Sequence, residues 1–420
     1  MDLDQGNTAF LLIAAALVLL MTPGLAFFYG GLVKAKSVIS MMMMSFGAMG
    51  LIGVLWVLYG YAITFSNDVG IDGVIGIDVN QLGLNSAYQE VLDGSYTTAF
   101  PTLAFAAFQA TFAIITVALI SGAIADRAKF GSWMIFAGIW ATVVYFPVAS
   151  WVFNFTLGED GSVVNGGWIA SMGVIDFAGG TAVHINAGAA ALALALVLGK
   201  RVGFAKGVSV PHNPPFVLLG AGLLWFGWFG FNAGSELAAD GVAAVAFLNT
   251  VAAPAAAILG WLIVEKIKDG KPTSVGAASG AVAGLVAITP ACAALSPFWA
   301  IVLGIVVGVV CALAIDLKFK LGFDDSLDVV GIHLVGGLVG TLYAGIFSTT
   351  TGLAFGFGPA QLGIQAIAAF SVMIFSFVLS FIIGFAIEKT IGFRVKNEDE
   401  IAGIDTVIHG EEGYVLVDAR

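Results

Sequence analysis

Charged residues are scarce in this sequence. Asp, Glu, Lys and Arg together make up 10% of its 420 residues, whereas a soluble domain carries roughly 25%. Hydrophobic residues account for 59%, so too few polar side chains remain to cover a water-facing surface of this size. The composition therefore excludes a soluble protein and indicates a chain that is embedded in lipid.

Basic residues and cysteines are few as well. The 16 Lys and Arg residues face 27 acidic ones, which gives a net charge of −11, and they form no basic run. This argues against binding to nucleic acid. Cys292 and Cys311 lie in apolar stretches without the spacing of a disulfide framework or of metal ligands. Because the sequence also offers no nucleophile–base constellation, we expect neither an enzyme nor a metal or cofactor site.

Long apolar stretches dominate the chain. A bilayer core needs about 20 apolar residues per helix, and polar segments divide the sequence into eleven such stretches. The predicted spans are 8–33, 39–65, 97–124, 131–155, 168–198, 215–237, 242–265, 274–290, 297–316, 328–347 and 361–387. The acidic N-terminus lacks the positive region of a signal peptide, so the first stretch is predicted to be a retained helix. We expect an all-α, polytopic membrane domain over 1–387 and a polar tail over 388–420.

The positive charges predict how this domain lies in the membrane. All 16 Lys and Arg residues fall on alternate loops, after the odd-numbered spans. Basic residues collect on the cytoplasmic side of a membrane. We therefore expect a multi-pass protein of the plasma membrane, with the N-terminus outside and the C-terminus in the cytoplasm.

Two histidines lie in apolar, glycine-rich spans and belong to an internal repeat. Asp176 and His184 are separated by seven residues, Asp325 and His333 have the same spacing, and the second copy follows the first by 149 residues. This offset contains five spans, and an odd number inverts the second copy. The expected architecture is two inverted five-helix halves, roughly 8–200 and 215–350, followed by the eleventh helix at 361–387. At 1.5 Å per residue both histidines reach the midplane, where they can meet.

The two kinds of repeated residue have different expected roles. A single histidine in an apolar helix is more often a core residue that bonds to a backbone carbonyl. Two at matching positions favour a transport path instead, because ionisable groups within the membrane are costly. For Asp176 and Asp325 we favour capping of a helix N-terminus. Asp176 is also kept as a candidate substrate-binding residue.

Four motifs in this order show a resemblance to a known family. They are PGLAFFYGGLV at 23–33, DFAGGTAVHIN at 176–186, WFGWFGFNAGS at 225–235 and GIHLVGG at 331–337. In these motifs the chain resembles the ammonium transporter (Amt/MEP) family, whose relatives include the Rh proteins, almost from end to end. The resemblance implies eleven helices, an outside N-terminus, inverted halves, and a homotrimer with one pore per subunit. The substrate it implies is ammonium, with methylammonium as an analogue.

The resemblance also implies roles for individual residues. Phe112 and Phe231 resemble the stacked phenyl rings that close the outer pore, and His184 and His333 resemble the paired pore histidines. Phe28, Tyr29 and Trp228 would line or brace the path, and Ser235 would help to hold the cation. The family usually adds a tryptophan after the fourth helix. Here Phe153 stands at the aligned place and Trp151 precedes it, before an insertion over 156–167, so either aromatic ring can complete the site.

The expected mechanism follows from the cost of moving a cation through an apolar constriction, which is several kcal/mol per ion. Ammonium would be recruited outside and deprotonated near the phenyl rings, and ammonia would then pass the neutral histidine pair. Whether the proton also crosses stays open. The alternatives are an Rh-like facilitator of neutral gas, either ammonia or carbon dioxide, and an ammonium sensor. A sensor would normally carry an added signalling domain, whereas only about 33 residues follow the last span.

The polar tail resembles the regulatory C-terminus of the family. Its residues Gly403, Asp405, His409 and Gly410 match the G-x-D-x-x-x-H-G pattern. This match favours an ordered segment over a disordered charged tail. In microbial members the implied partner is a PII-type signalling protein that plugs the inner pore. The chain has Val407 where eukaryotic relatives carry a phosphorylated threonine, so that switch is not expected.

Overall fold

The computed structural model describes residues 2–65, 69–157, 163–204 and 210–414. Within these ranges eleven apolar helices follow one another, and we number them α1–α11. Their bounds are Gln5–Leu32, Ala35–Thr64, Thr102–Ile124, Phe130–Phe153, Gly180–Leu198, Pro214–Glu236, Gly241–Lys268, Ser274–Ile288, Pro297–Leu321, Val330–Phe347 and Ala360–Thr390. Ten are long and apolar enough to cross a membrane, and α8 is the shorter one. The prediction of an all-α, multi-pass membrane protein is confirmed.

Two predicted spans begin later in the structure than in the sequence interpretation. The predicted 168–198 span consists of a short helix, Trp168–Ser171, and of α5, which begins at Gly180. Gly173 and Gly179 between them have φ values of +78° and +122°, which a right-handed helix cannot contain. The span predicted to begin at residue 97 begins at Thr102, because Pro101 is its N-cap residue in an extended conformation.

The helices α1 and α6, which the predicted repeat relates to each other, pack along their lengths. Their backbones approach closely where one helix has no side chain. A Cβ atom at Gly220 would lie 2.2 Å from the backbone N of Phe28, and one at Gly230 would lie 2.6 Å from Ala14 O. Small residues allow such close helix contacts in membranes, where apolar burial alone does not drive helices together.

Two hairpins lie at the side that the charge pattern predicts to be outside. Strands β1 (Val69–Ile71) and β2 (Ile75–Ile77) pair between α2 and α3, and β3 (Phe155–Leu157) pairs with β4 (Val163–Gly166) between α4 and α5. The second hairpin belongs to the predicted insertion over 156–167, of which residues 158–162 lie outside the described ranges. The Trp168 N–H donates to Gly73 O over 2.9 Å, so the two connections form one unit.

A buried cluster of charges joins three connections at the opposite, predicted cytoplasmic side. Arg201 Nη1 lies 3.0 Å from Asp126 Oδ2, and Arg201 Nε lies 2.9 Å from Asp324 Oδ2. Burial lowers the pKa of the neighbouring Arg127 to about 10. Burial by itself would raise the pKa of Asp324, but the hydrogen bonds from Arg201 and the charges of both arginines outweigh it and lower this pKa.

Candidate functional site

The structure brings His184 and His333 together in the middle of the helix bundle. Their Nδ1 atoms are 3.2 Å apart, and the rings lie nearly parallel with centroids 5.3 Å apart. Both side chains are buried, with exposed fractions of 1% and 3%. In this hydrogen bond one Nδ1 donates and the other accepts, so two neutral rings must be opposite tautomers. One ring then has a bare Nε2 and the other carries its proton on Nε2.

The local backbone around each histidine follows the sequence repeat. Both histidines lie in π-helical turns, Gly180–Ile185 at the start of α5 and Val330–Leu334 at the start of α10. Each repeat also has a glycine four residues after its histidine. A Cβ atom at Gly188 would lie 2.4 Å from Leu334 N, and one at Gly337 would lie 3.0 Å from Ile185 Cγ1. Each glycine therefore lets the other histidine helix approach, and this close approach sets the spacing of the two rings.

The aspartates of the repeat are bonded to the helix N-termini. Asp176 accepts hydrogen bonds from the backbone N–H groups of Gly179, Gly180, Thr181 and Ala182, and from the hydroxyl of Thr181. Asp325 likewise accepts from the N–H groups of Val329 and Val330, at 3.1 and 2.7 Å. Both carboxylates thus bond to free N–H groups at a helix N-terminus, although the N-cap residues themselves are Gly179 and Val329.

A small apolar cavity of about 10 Å³ lies beside the histidine pair. This is room for roughly one water-sized molecule. Its lining side chains are Met21, Leu25, Phe28, Ile115, Leu119, Val183, His184, Leu224, Trp228, Phe231, Val282 and His333. Among the described residues His184 Nε2 has no hydrogen-bond partner. The cavity therefore offers a molecule of this size a hydrogen bond at an otherwise apolar wall.

Aromatic rings continue from the histidine pair toward the side that the charge pattern predicts to be outside. Phe231 and Trp228 stack on His184, with centroids 6.0 and 5.4 Å from its ring. Phe112 stacks on Phe231 at 4.2 Å with 28° between the planes. Both phenyl rings are buried. The indole N–H of Trp228 donates to Thr289 Oγ1 over 2.8 Å, which fixes the orientation of that ring.

The structure distinguishes the two aromatic candidates for the outer end of this column. Phe153 contacts Phe112 edge to face, with centroids 6.5 Å apart. The indole of Trp151 instead donates to Val74 O and packs against Trp168 and Phe375. Phe153 is therefore the candidate that lies beside the phenyl pair, whereas Trp151 joins the hairpin unit to α11.

Three other predicted site residues lie around this column. The hydroxyl of Ser235 donates to Phe231 O over 2.8 Å, one helical turn before it. Phe28 lines the cavity. Tyr29 is placed next to the cavity rather than on it, because its hydroxyl donates to Leu119 O over 3.0 Å and its ring packs on Gly122.

Several residues at or beside the cavity were not identified from the sequence. Met21 and Leu25 line the cavity together with Phe28. They precede Phe28 by seven and three residues, so helical periodicity could have found them. No sequence signal indicated Thr289, because its partner Trp228 is 61 residues away and the two meet only in the folded chain.

The C-terminal segment packs on the predicted cytoplasmic side. The carboxylate of Asp405 accepts from the N–H groups of Ile39 and Ser40, at 3.0 and 2.8 Å, near the start of α2. Burial raises the pKa of Asp405, although these hydrogen bonds oppose the shift. Glu400 accepts from the Val202 N–H and pairs with Arg394. The tail is thereby connected to α2 and to the segment that follows α5.

Comparison with known proteins gives consistent results for the whole chain. The model of the Ammonium Transporter Family matches residues 9–414. An ammonium transporter of Mycobacterium tuberculosis strain H37Rv is 54% identical over 437 residues, which cover 98% of this chain and 90% of the relative. An ammonium transporter of Bacillus subtilis strain 168 is 44% identical, and the match covers 98% of this chain and 99% of the relative. Among solved structures, Saccharomyces cerevisiae Mep2 has a TM-score of 0.86 at 32% identity, covering 100% of this chain and 94% of Mep2.

Proposed function

The chain belongs to the ammonium transporter family, and for this transporter we propose a path in which ammonium loses its proton before it reaches the histidine pair. The observation that carries the proposal is the hydrogen-bonded His184–His333 pair beside a small apolar cavity. A bare cation there would lose its hydration shell without a counter-charge, whereas neutral ammonia would not.

Recruitment is proposed to occur at the outer end of the aromatic column. Phe153 and Phe112 offer ring faces and edges there, and a cation over a ring face is stabilised by about 0.5–2 kcal/mol. Ser235 would add a hydroxyl oxygen. Phenylalanine attracts a cation less strongly than tryptophan does. Because this chain has Phe153 where the family usually has tryptophan, we expect it to bind the cation more weakly at the outer end, without losing that binding.

Deprotonation is proposed to take place before the stacked rings of Phe112 and Phe231, with water at the outer end of the column as the acceptor of the proton. These rings are buried and in contact, so they must separate briefly before a molecule can pass. Behind them the neutral histidine pair presents one bare nitrogen and one N–H group. Ammonia has one lone pair and three N–H bonds, so it can bond to either kind of group. The pair would therefore guide ammonia through the dry part of the path.

The assembly and orientation are proposals that rest on the family and on the charge pattern. We propose a homotrimer in the plasma membrane with the N-terminus outside and the tail in the cytoplasm, where a PII-type regulator would dock. The two halves, 8–200 and 215–350, would be inverted copies. A role as a neutral-gas facilitator or as a sensor is not favoured, because relatives that are 38–54% identical are named ammonium transporters. We assign no enzymatic activity.

Substitution of the histidines tests this path. His184→Glu or His333→Glu would place a carboxylate in the apolar cavity, where it takes up a proton or attracts a cation. We expect potassium to leak through either variant in proteoliposomes, and the double variant to lose less methylammonium uptake than the sum of the singles. His184→Gln, which has nearly the same shape as the glutamate but no charge, is the matched control. Potassium exclusion and normal uptake in both glutamate variants would contradict the proposal.

A further inference from the structure

Gln365, near the start of α11, is a fully buried polar side chain with four hydrogen bonds. Its Oε1 accepts from the Ile175 N–H over 2.7 Å and from Gln361 Nε2 over 3.1 Å. Its Nε2 donates to Ile175 O over 2.7 Å and to Thr341 O over 3.0 Å. A glutamine amide has two N–H groups and two lone pairs to offer. All of its hydrogen-bonding positions are therefore filled by groups of the protein.

These bonds connect the two helices that carry the histidine pair. Ile175 lies nine residues before His184 and directly precedes the carboxylate that bonds to the N-terminus of α5. Thr341 belongs to α10 and lies eight residues after His333. Gln365 therefore bridges the chain that enters α5 and the helix that holds the second histidine.

The segment that enters α5 depends on side chains for its hydrogen bonds. Residues 172–179 are not helical, so their backbone N–H and C=O groups need partners outside a helix. Gln365 bonds to both backbone groups of Ile175. Gln361, one turn earlier in α11, donates to Gly173 O over 3.0 Å. The position of this segment, and with it the start of α5, is therefore held by α11.

The equivalent segment of the second repeat is held in a comparable way. Asp324 follows Ile175 with the same offset of 149 residues as the two histidines. Its backbone O accepts from Arg127 Nη2 over 2.6 Å, and its carboxylate pairs with Arg201. Both segments that lead to a histidine helix are thus fixed by side chains of other elements. The second copy uses charged groups for this contact, and the first copy uses a neutral amide.

We propose that Gln365 is a positioning residue for transport, which sets the distance between the two histidines by joining the entry of α5 to α10. The inference rests on the proposed function, in which the hydrogen-bonded pair guides ammonia. Without the bridge, three buried backbone groups lose their partner, and the chain must move to find others. The 3.2 Å distance between the Nδ1 atoms of His184 and His333 leaves little room for such a movement before the bond is lost.

Three variants separate this role from general packing. Gln365→Met keeps the length and shape of the side chain but has no N–H group and only a weak acceptor. Gln365→Glu keeps two oxygen atoms and, as a neutral acid in a buried site, one O–H donor. Ser380→Ala is the matched control, because it also removes a buried hydrogen bond of α11. That bond joins Ser380 to Trp140 Nε1 in α4, at 2.8 Å, and involves neither histidine helix.

The spacing of the pair can be measured directly by solid-state NMR of the full-length protein in proteoliposomes. The chain contains only four histidines, so labelling of histidine with ¹⁵N gives few signals. In the wild type we expect a correlation between the Nδ1 atoms of His184 and His333, which share one proton. His212 does not interfere, because its Nδ1 bonds to a backbone carbonyl.

The variants should change this correlation and methylammonium uptake together. Both should be lost in Gln365→Met, with uptake per assembled protein lower by about tenfold or more, because a misplacement of about 1 Å can cost about 10²-fold. Gln365→Glu should recover the correlation and most of the uptake, and Ser380→Ala should retain both. If Gln365→Met does not assemble, Gln365→Asn should give the same loss, because its amide is too short to reach both Ile175 and Thr341.

The possible failures of this inference and of the proposed function are distinguishable. An intact Nδ1–Nδ1 correlation in Gln365→Met or Gln365→Asn, with or without a loss of uptake, would show that Gln365 does not position the pair, and would leave the proposed path unaffected. An equal loss in Ser380→Ala would assign the effect to the general packing of α11 and overturn the inference as well. Absence of the correlation in the wild type would contradict the hydrogen-bonded pair, and with it both proposals.

Discussion

Substitution of Gly188 by alanine should separate the two histidines. The added Cβ atom would lie 2.4 Å from Leu334 N and 2.6 Å from Leu334 Cβ, where ordinary contacts begin at 3.4 Å. Two of its three nearest neighbours are backbone atoms of α10, so rotation of a side chain cannot relieve the clash. The start of α10 must therefore move away from α5 by about 1 Å, since protein interiors are closely packed.

This displacement acts directly on the histidine pair, because Leu334 follows His333. A shift of about 1 Å would lengthen the 3.2 Å Nδ1–Nδ1 distance to about 4 Å, beyond hydrogen-bonding range. Loss of the bond leaves buried nitrogen atoms unpaired, at about 1–3 kcal/mol. This penalty lowers the stability of the folded protein; for the rate, a misplacement of about 1 Å at a site can cost about 10²-fold, so uptake should fall by about tenfold or more.

Gly337→Ala is the matched control, because Gly337 has the equivalent place in the second repeat. Its added Cβ atom would lie 3.0 Å from Ile185 Cγ1 and 3.2 Å from Gly180 O and His184 Cβ, so shifts of a few tenths of an ångström relieve the contact. Methylammonium uptake into proteoliposomes, corrected for the amount of assembled protein, should be reduced less than twofold. Normal uptake in Gly188→Ala, or equal losses in the two variants, would refute this explanation of the pair's spacing.

Three further predictions concern Ser235, the buried charge cluster around Asp324 and the orientation of the two termini. Ser235→Ala should weaken methylammonium affinity at least tenfold, because a hydrogen bond to a charge is worth about 1.5–3 kcal/mol; an unchanged concentration dependence of uptake argues against this site. Because the pKa of Asp324 is lowered in the folded protein, its ionised carboxylate should stabilise the fold above about pH 4, and this stabilisation should be lost as the pH falls through the lowered pKa; thermal unfolding should show a steeper decline with falling pH in the wild type than in Asp324→Asn. A tag before Asp4 should react with impermeant reagents from outside and a tag at the C-terminus should not; the reverse would contradict the charge-based orientation.

Composition and spacing were sufficient to predict the main architecture. A sequence with so little charge has to place its apolar stretches in lipid, and in lipid each backbone N–H and C=O group must bond within its own helix. Helix number and approximate bounds therefore follow from local sequence. The repeat adds one long-range relation, because residues at equal spacing in inverted halves reach the same depth. The positions of His184 and His333 near each other could be predicted in this way.

Other features depend on contacts between residues that are distant in the sequence. The sequence left Phe153 and Trp151 as alternatives. The folded chain separates them because Trp151 bonds to Val74 O in another connection. Thr289 meets Trp228 for the same reason.

The late start of α5 shows that the sequence does not fully predict even local structure. Residues 172–179 are apolar enough to continue a helix, but Gly173 and Gly179 adopt φ values that end one. Glycine permits these values without requiring them, so its presence alone does not decide the conformation. The sequence by itself determined the order and approximate bounds of the apolar helices, and its repeat predicted that the two histidines lie close together. Only the tertiary structure decided which side chains surround the histidine pair, because that depends on which helices pack face to face.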